Sequence, residues 1–409
     1  MTMQQMKWID RCVGLVLCGV VAFFDALARW VALSSSAPVI GCERVRKILI
    51  TKYLGMGSLV LATPMVGAVR RRYPQAKILF LTSEANREIC RLLEIADEVL
   101  TIRTTGFLAF ARDLFTVLRR LRRGRIDLAF DLEFLSKFSA LVVYFSGARE
   151  RVGYTFDGMW RARLLTRPVP YEPHQHITRV FSSLVEPPSC EGVGPLPVSL
   201  LRVSGESMRF VDELLRRRSV WQNQEIVCVN VNTGEMCLER RWHGDRFAEL
   251  IREILRQGLA KVVLIGAPSE RPYVESLAAL VGPSSDLLNL AGEVTVEQLL
   301  ALLKRSRLLI TNDAGPLHLA AACGTPTIAL FGPETPLLYG PVGEGHIVFY
   351  KQVHCSPCLT VANNKTPPCH GNNICMSAIS VEEVLAAVER ILGRSLHPLC
   401  TVSYPSTSP

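Results

Sequence analysis

Residues 311–336 read TNDAGPLHLAAACGTPTIALFGPETP. The pattern is strand end, polar turn, short helix, Gly-Thr-Pro loop and second strand. The run RLLIT at 307–311 is apolar enough for a parallel strand buried on both faces. Asn312, Asp313 and Gly315 make a turn at its carboxyl end. Pro316 suits the first turn of a helix, where its missing N–H is not needed. Residues 317–322 are that helix, and Gly324 ends it. Open α/β sheets bind ligands at this edge, where helix N-termini offer free N–H groups to anions.

The order T-N-D-[SA]-G-P-x-H-L-A-A-A-x-G-T-P resembles the nucleotide-sugar-binding motif of glycosyltransferase family 9, the heptosyltransferase family of lipopolysaccharide core synthesis. An isolated N-D-x-G occurs after many strands, whereas an ordered match of this length is specific. The resemblance assigns Thr311, Asn312, Asp313, Gly315, Pro316 and His318 to the donor site. It extends over roughly residues 46–392.

The rest of the chain is organised to match. Strands are expected at 47–51, 77–82, 98–102 and 126–131, with helices near 58–72, 84–93 and 108–123. Prolines at 168, 170, 173, 187, 188, 195 and 197 mark a connection that ends near 220, after a helix at 205–218. A second alternation places strands at 226–231, 261–265, 287–290, 308–311 and 327–331. The helix at 244–257 puts Phe247, Leu250, Ile251, Ile254 and Leu255 on one face. Thr295 with Gln298, and Ser380 with Glu383, have capping-box spacing. Two doubly wound α/β halves fit the GT-B architecture that the family implies. The expected divisions are an apolar segment and linker at 1–40, an acceptor domain at 44–220, a nucleotide-sugar domain at 221–393 and a loose tail at 394–409.

Composition bounds the partners. The 409 residues are 49% hydrophobic and 20% charged, which is globular rather than disordered. The net charge of +9 is concentrated in runs at 70–72, 119–125 and 216–218. Solvated helix faces explain such runs. No zinc-finger spacing or RNA module supports nucleic acid, and an anionic membrane surface fits better. The stretch 12–24 is uncharged and mainly apolar, yet thirteen helical residues span only ~20 Å of a ~30 Å hydrocarbon core. A signal peptide, a span over 12–33 and a monotopic anchor compete. Membrane attachment through residues 7–33 is the expectation, with the catalytic domains at the cytoplasmic face of the inner membrane.

Four further blocks carry chemistry. KYLGMGSLVLATP at 52–64 follows the family's opening glycine loop, with Gly55, Gly57 and Ser58 lining it. The family has its acceptor-deprotonating aspartate where this chain has Ser58. A serine hydroxyl is too weak a base for that task, and Ser58 also suits a helix N-cap. IDLAFDLEF at 126–134 ends a strand with Asp131 and Glu133, either of which could replace the base, cap the next helix or pair with Arg149 or Arg151. VNVNTGEMCLERRW at 229–242 offers Asn232 and Thr233 to phosphate oxygens and Arg240 to a diphosphate. Glu270 stands where the family's glutamate meets the ribose, or simply begins a surface helix. No D-x-D metal motif occurs at a convincing loop, so catalysis is expected to need no cofactor.

The insertion at 354–376 contains Cys355, Cys358, Cys369 and Cys375. Their spacing resembles a four-thiolate structural zinc site, with free thiols or disulfides as alternatives. The resemblance thus implies an inverting transfer of a heptose-like sugar from a nucleotide-diphosphate donor to a lipopolysaccharide or other lipid-linked glycan. Two alternatives stay open: a family-9-like transferase of another sugar, and an inactive nucleotide-sugar-binding subunit of an envelope assembly complex.

Overall fold

A computed structural model describes residues 10, 14, 18–21, 44–156, 159–186, 195–221, 223–234, 237–361, 365–369 and 371–393. The chain divides into two compact units at Ser199/Leu200.

The first unit holds strands β1 (Lys47–Thr51), β2 (Lys77–Ser83), β3 (Glu98–Ile102), β4 (Leu128–Asp131), β5 (Glu150–Thr155) and β6 (Arg167–Pro170). They pair in parallel in the order β3-β2-β1-β4-β5-β6. The second unit holds β7 (Ile226–Asn230), β8 (Lys261–Ile265), β9 (Leu287–Asn289), β10 (Leu308–Asn312), β11 (Thr327–Phe331) and β12 (His346–Tyr350). Their order, β12-β11-β10-β7-β8-β9, is the same winding repeated. Strands β7, β10 and β11 are buried at every residue, as parallel strands covered on both faces must be.

Each sheet has a switch point where consecutive crossovers diverge, at β1/β4 and at β7/β10. Crevices form at the carboxyl ends there. A buried polar bond joins the two strands at each. Thr51 Oγ1 donates to Asp131 Oδ1 at 3.0 Å across register partners. Asn230 Nδ2 donates to Thr311 Oγ1 at 2.9 Å, again across register partners.

The helices follow local rules. Thr295 and Ser380 form both bonds of their capping boxes, as their spacing predicts. Gly324 ends the helix Gly315–Cys323 at φ 76°, a conformation open to glycine at little cost. The helix Gly205–Arg217 lies in the second unit, on the other side of the division from where the expected domains place it. Ser204 N donates to Glu297 at 3.0 Å and Leu201 N to the Ala322 carbonyl at 3.0 Å, which tie its entry to that unit.

The expected apolar segment at 1–40 needs correction. Most of it, and the tail 394–409, lies outside the described residues. Among the described residues no helix is long and apolar enough to cross a membrane. The described part packs on the first unit. Asp10 accepts bonds from Ser136 Oγ, Lys137 N and Phe138 N at 2.7–3.2 Å, at the start of the helix Lys137–Phe145. Cys18 is buried against Ala140, Leu141 and Leu164. A carboxylate used as a helix cap and a thiol used as core are protein contacts.

Candidate functional site

The carboxyl edge of the second sheet gathers the residues of the opening motif. Thr311 and Asn312 end β10 and are fully buried. Asn312 Oδ1 accepts from Trp242 N at 2.9 Å, which fixes the loop after β7 against β10. Trp242 itself is core: it meets Phe247 edge-on at 5.0 Å and donates Nε1–H to the Ile379 carbonyl. Asp313 follows, 5% exposed. Arg240 Nη1 donates to Asp313 Oδ2 at 3.2 Å, and Nη2 to the Thr233 carbonyl at 3.0 Å. Arg241 Nη2 donates to Asn232 Oδ1 at 3.2 Å. Gly315 and Pro316 open their helix beside this cluster, and Pro316 sits in its first turn.

Three N–H groups here are buried with no hydrogen-bond partner among the described residues: Asn232 Nδ2, Arg240 Nε and Arg241 Nε. Buried donors are nearly always satisfied. Three left over together at the carboxyl edge of a doubly wound sheet are donors that an acceptor group could satisfy.

Two expected members sit differently. Glu270 turns back and accepts from Ala267 N at 2.8 Å, capping its own turn. His318 is buried within its helix, 5% exposed. Two other charges join the edge unforeseen. Glu334, three residues beyond β11, is 4% exposed and pairs with Lys365. Burial pushes the Glu334 carboxyl up, Lys365 opposes this, and the Asp313 charge adds to the rise. The run FGPETP, which follows directly on β11, was the signal that could have found Glu334. Nothing in the sequence pointed to Lys365, which comes from the cysteine-rich insertion.

In the first unit the loop after β1 carries Gly55, Gly57 and Ser58. Gly55 lies at φ 86° and precedes the helix Met56–Leu61. Ser58 is therefore inside that helix, which corrects its expected N-cap role. The two carboxylates after β4 are both engaged. Asp131 is fully buried, accepts from Thr51 and Ser139, and forms an ion pair with Arg161. Burial raises its pKa, and Arg161 opposes that rise. Glu133 Oε1 accepts from Lys52 Nζ at 3.0 Å, Tyr53 N at 2.7 Å and Leu54 N at 3.3 Å. Its Oε2 makes no hydrogen bond among the described residues. Asp131 is thus enclosed and spent on Arg161, while Glu133 holds the glycine loop with one oxygen and keeps the other. Arg149 and Arg151 partner neither of them among the described residues.

Cys355, Cys358, Cys369 and Cys375 are free thiols in one locality. Burial, and then the neighbouring Cys369, Cys375 and Cys355, push the Cys358 thiol up to about 11. The donor set has the right chemistry for zinc. Yet no three His, Cys, Asp or Glu side chains among the described residues are arranged to hold a metal ion.

Twin doubly wound sheets, with an anion-seeking edge on the second, define an α/β protein of GT-B-like architecture. The sequence profile of glycosyltransferase family 9 (heptosyltransferase) matches residues 114–367. The chain belongs to that family and is a glycosyltransferase by membership. Lipopolysaccharide heptosyltransferase 2 of Salmonella typhimurium is 25% identical over 307 residues, covering 73% of this chain and 86% of that protein. Lipopolysaccharide heptosyltransferase 3 of Escherichia coli is 22% identical over 357 residues, covering 82% and 95%. Among solved structures, a family 9 glycosyltransferase from Veillonella parvula superposes with a TM-score of 0.69 at 22% identity, over 88% of this chain and all of that one. The E. coli ADP-heptose lps heptosyltransferase II does so at 0.67 and 21%, over 85% and 99%.

Proposed function

We propose that this chain transfers a heptosyl unit from ADP-heptose to a lipopolysaccharide core acceptor, with inversion at the anomeric carbon. The observation that carries the reading is the trio of unsatisfied N–H groups on Asn232, Arg240 and Arg241, beside Asp313 and a helix N-terminus. A diphosphate brings acceptor oxygens and charge to that place. Similarity to lipopolysaccharide heptosyltransferases, among them an ADP-heptose lps heptosyltransferase, supports adenosine and heptose as the donor's other parts.

In the reaction the acceptor hydroxyl oxygen bonds to the sugar C1 as the bond from C1 to the diphosphate oxygen breaks. The electron pair leaves with ADP. Arg240 and the Asn232 amide stabilise the growing charge in place, without reorganisation. The hydroxyl proton needs a base. Glu133 is our candidate, since the hydroxyl of Ser58 is too weak a base and Asp131 is enclosed. Nothing in this scheme requires a metal, and the cysteine cluster takes no part in it. Because ADP-sugars are cytoplasmic metabolites, the work would be done at the cytoplasmic face of the inner membrane.

The test is direct. Purified chain, ADP-heptose and heptose-deficient lipopolysaccharide should yield ADP and an acceptor heavier by one heptose. ADP release without an acceptor product, or no turnover with any core acceptor, would remove the proposed acceptor class.

A further inference from the structure

The helix Phe107–Gly124 has an unusual outer face. Its inner face is ordinary: Val117 and Leu121 are buried, with Phe110, Leu114 and Leu118 packed beside them on the sheet. Outside, Phe107, Leu108 and Phe115 are 70%, 83% and 67% exposed. Leu108, Arg112, Phe115, Arg119 and Arg123 succeed each other at steps of four and three, so they form one stripe. The stripe runs ~22 Å along the helix at 1.5 Å per residue.

The acids near this face are already neutralised. Asp113 is held by Arg103 through two bonds of 2.7 Å, and Glu98 by Arg120 and Lys77. The Arg119 and Arg123 side chains make no hydrogen bond or ion pair among the described residues. With Phe115, Thr116 and Arg120 they line a shallow depression. Arg112 lies 3.9 Å from Asp113, a carboxylate that Arg103 already holds, and stays largely exposed. Large apolar groups alternating with exposed guanidinium groups suit a boundary that is oily below and anionic above. Arginines can place their stems on the apolar layer and their heads among phosphates.

We propose that this helix lies on an anionic phospholipid bilayer, with Leu108 and Phe115 entering the headgroup boundary and Arg112, Arg119 and Arg123 meeting lipid phosphates. Charge complementarity favours a lipid surface over a second copy of this cationic face. The inference stands apart from the donor assignment, because it is tested without donor or acceptor.

The test uses the full chain carrying Phe115→Trp, with Leu280→Trp on an exposed site of the second unit as control. Brominated phosphatidylglycerol vesicles should abolish most of the extra emission from position 115 and leave that from position 280. Replacing both Arg119 and Arg123 by Ala should lower partitioning onto the same vesicles roughly thirty-fold, and phosphatidylcholine vesicles should bind far less. Emission from position 115 that is unchanged by brominated lipid overturns the proposal, whether or not the chain binds vesicles by another part. So does a self-association in lipid-free buffer that Phe115→Ser abolishes, since the face would then be an interface between copies.

Discussion

Arg240 and Asp313 meet at 3.2 Å although 73 residues separate them, and the second Nη of Arg240 is held by the Thr233 carbonyl at 3.0 Å. Their pairing holds an arginine where a diphosphate would lie. Arg240→Ala and Asp313→Ala should each weaken ADP binding, by roughly ten- to several hundred-fold, as loss of a charge-assisted contact does. Calorimetry on the folded variants checks this. Unchanged affinity in both would displace the donor site from this edge.

The second pair, Asp131 with Arg161, is buried on both sides. Arg161→Ala strands a carboxylate in the core and should cost ~3–5 kcal/mol of stability. The pKa of Asp131 is raised by burial. A raised carboxyl favours the folded state while protonated, and that stability is lost as pH rises through the folded pKa. The defect of Arg161→Ala should therefore be smaller at pH 5 than at pH 8 in urea unfolding.

Glu133 and Asp131 can be told apart by kinetics. Glu133→Gln keeps an acceptor for Tyr53 N and Leu54 N and removes only the charge. It should lose roughly 10²–10⁴ in kcat with ADP affinity intact, the range of general base catalysis. A variant with normal kcat would end the role proposed for Glu133.

Acid should act at another place. Asp97 is held low by the Arg70 guanidinium and also accepts from Ile78 N at 2.7 Å. Its contribution is present above the unfolded carboxyl pKa of ~3.9 and is lost as pH falls through the folded value. Asp97→Asn should destabilise the chain at pH 7, and the difference from wild type should shrink below about pH 4. The exposure of the pair keeps the effect modest.

Chelation should leave transfer unchanged, since no step proposed here uses a metal. Elemental analysis of the same sample tests the cysteine cluster separately. One zinc per chain would mean that the four thiols close around it. Without metal, Cys358 with its raised pKa should alkylate slowly at pH 7.

Periodicity was enough for the central strands and the capped helices, because a buried parallel strand and a capping box are local signals. Edge strands were harder. β6 lies in the proline-rich run read as a connection, and prolines are tolerated there because an edge strand bonds on one side only. β12 is half-buried throughout and carries no alternation. Asp131 was placed correctly at a strand end. Its partner Arg161 stands thirty residues on, in a short 3₁₀ turn that no pattern announces. Ser58 had the chemistry of a cap, but glycine at 55 starts the helix earlier. The residues at the end of β10 and the start of the helix after it were legible as a motif, whereas Lys365 reaches Glu334 only through the fold.

The bonds Thr51–Asp131 and Asn230–Thr311 have a consequence for how deep a ligand can go. Each closes the seam between the two strands whose crossovers part company. A crevice there has a sealed polar floor. A ligand entering either crevice would meet a strand pair already joined by its backbone ladder, and would rest across the strand ends, where loop residues can vary without touching the pairing beneath.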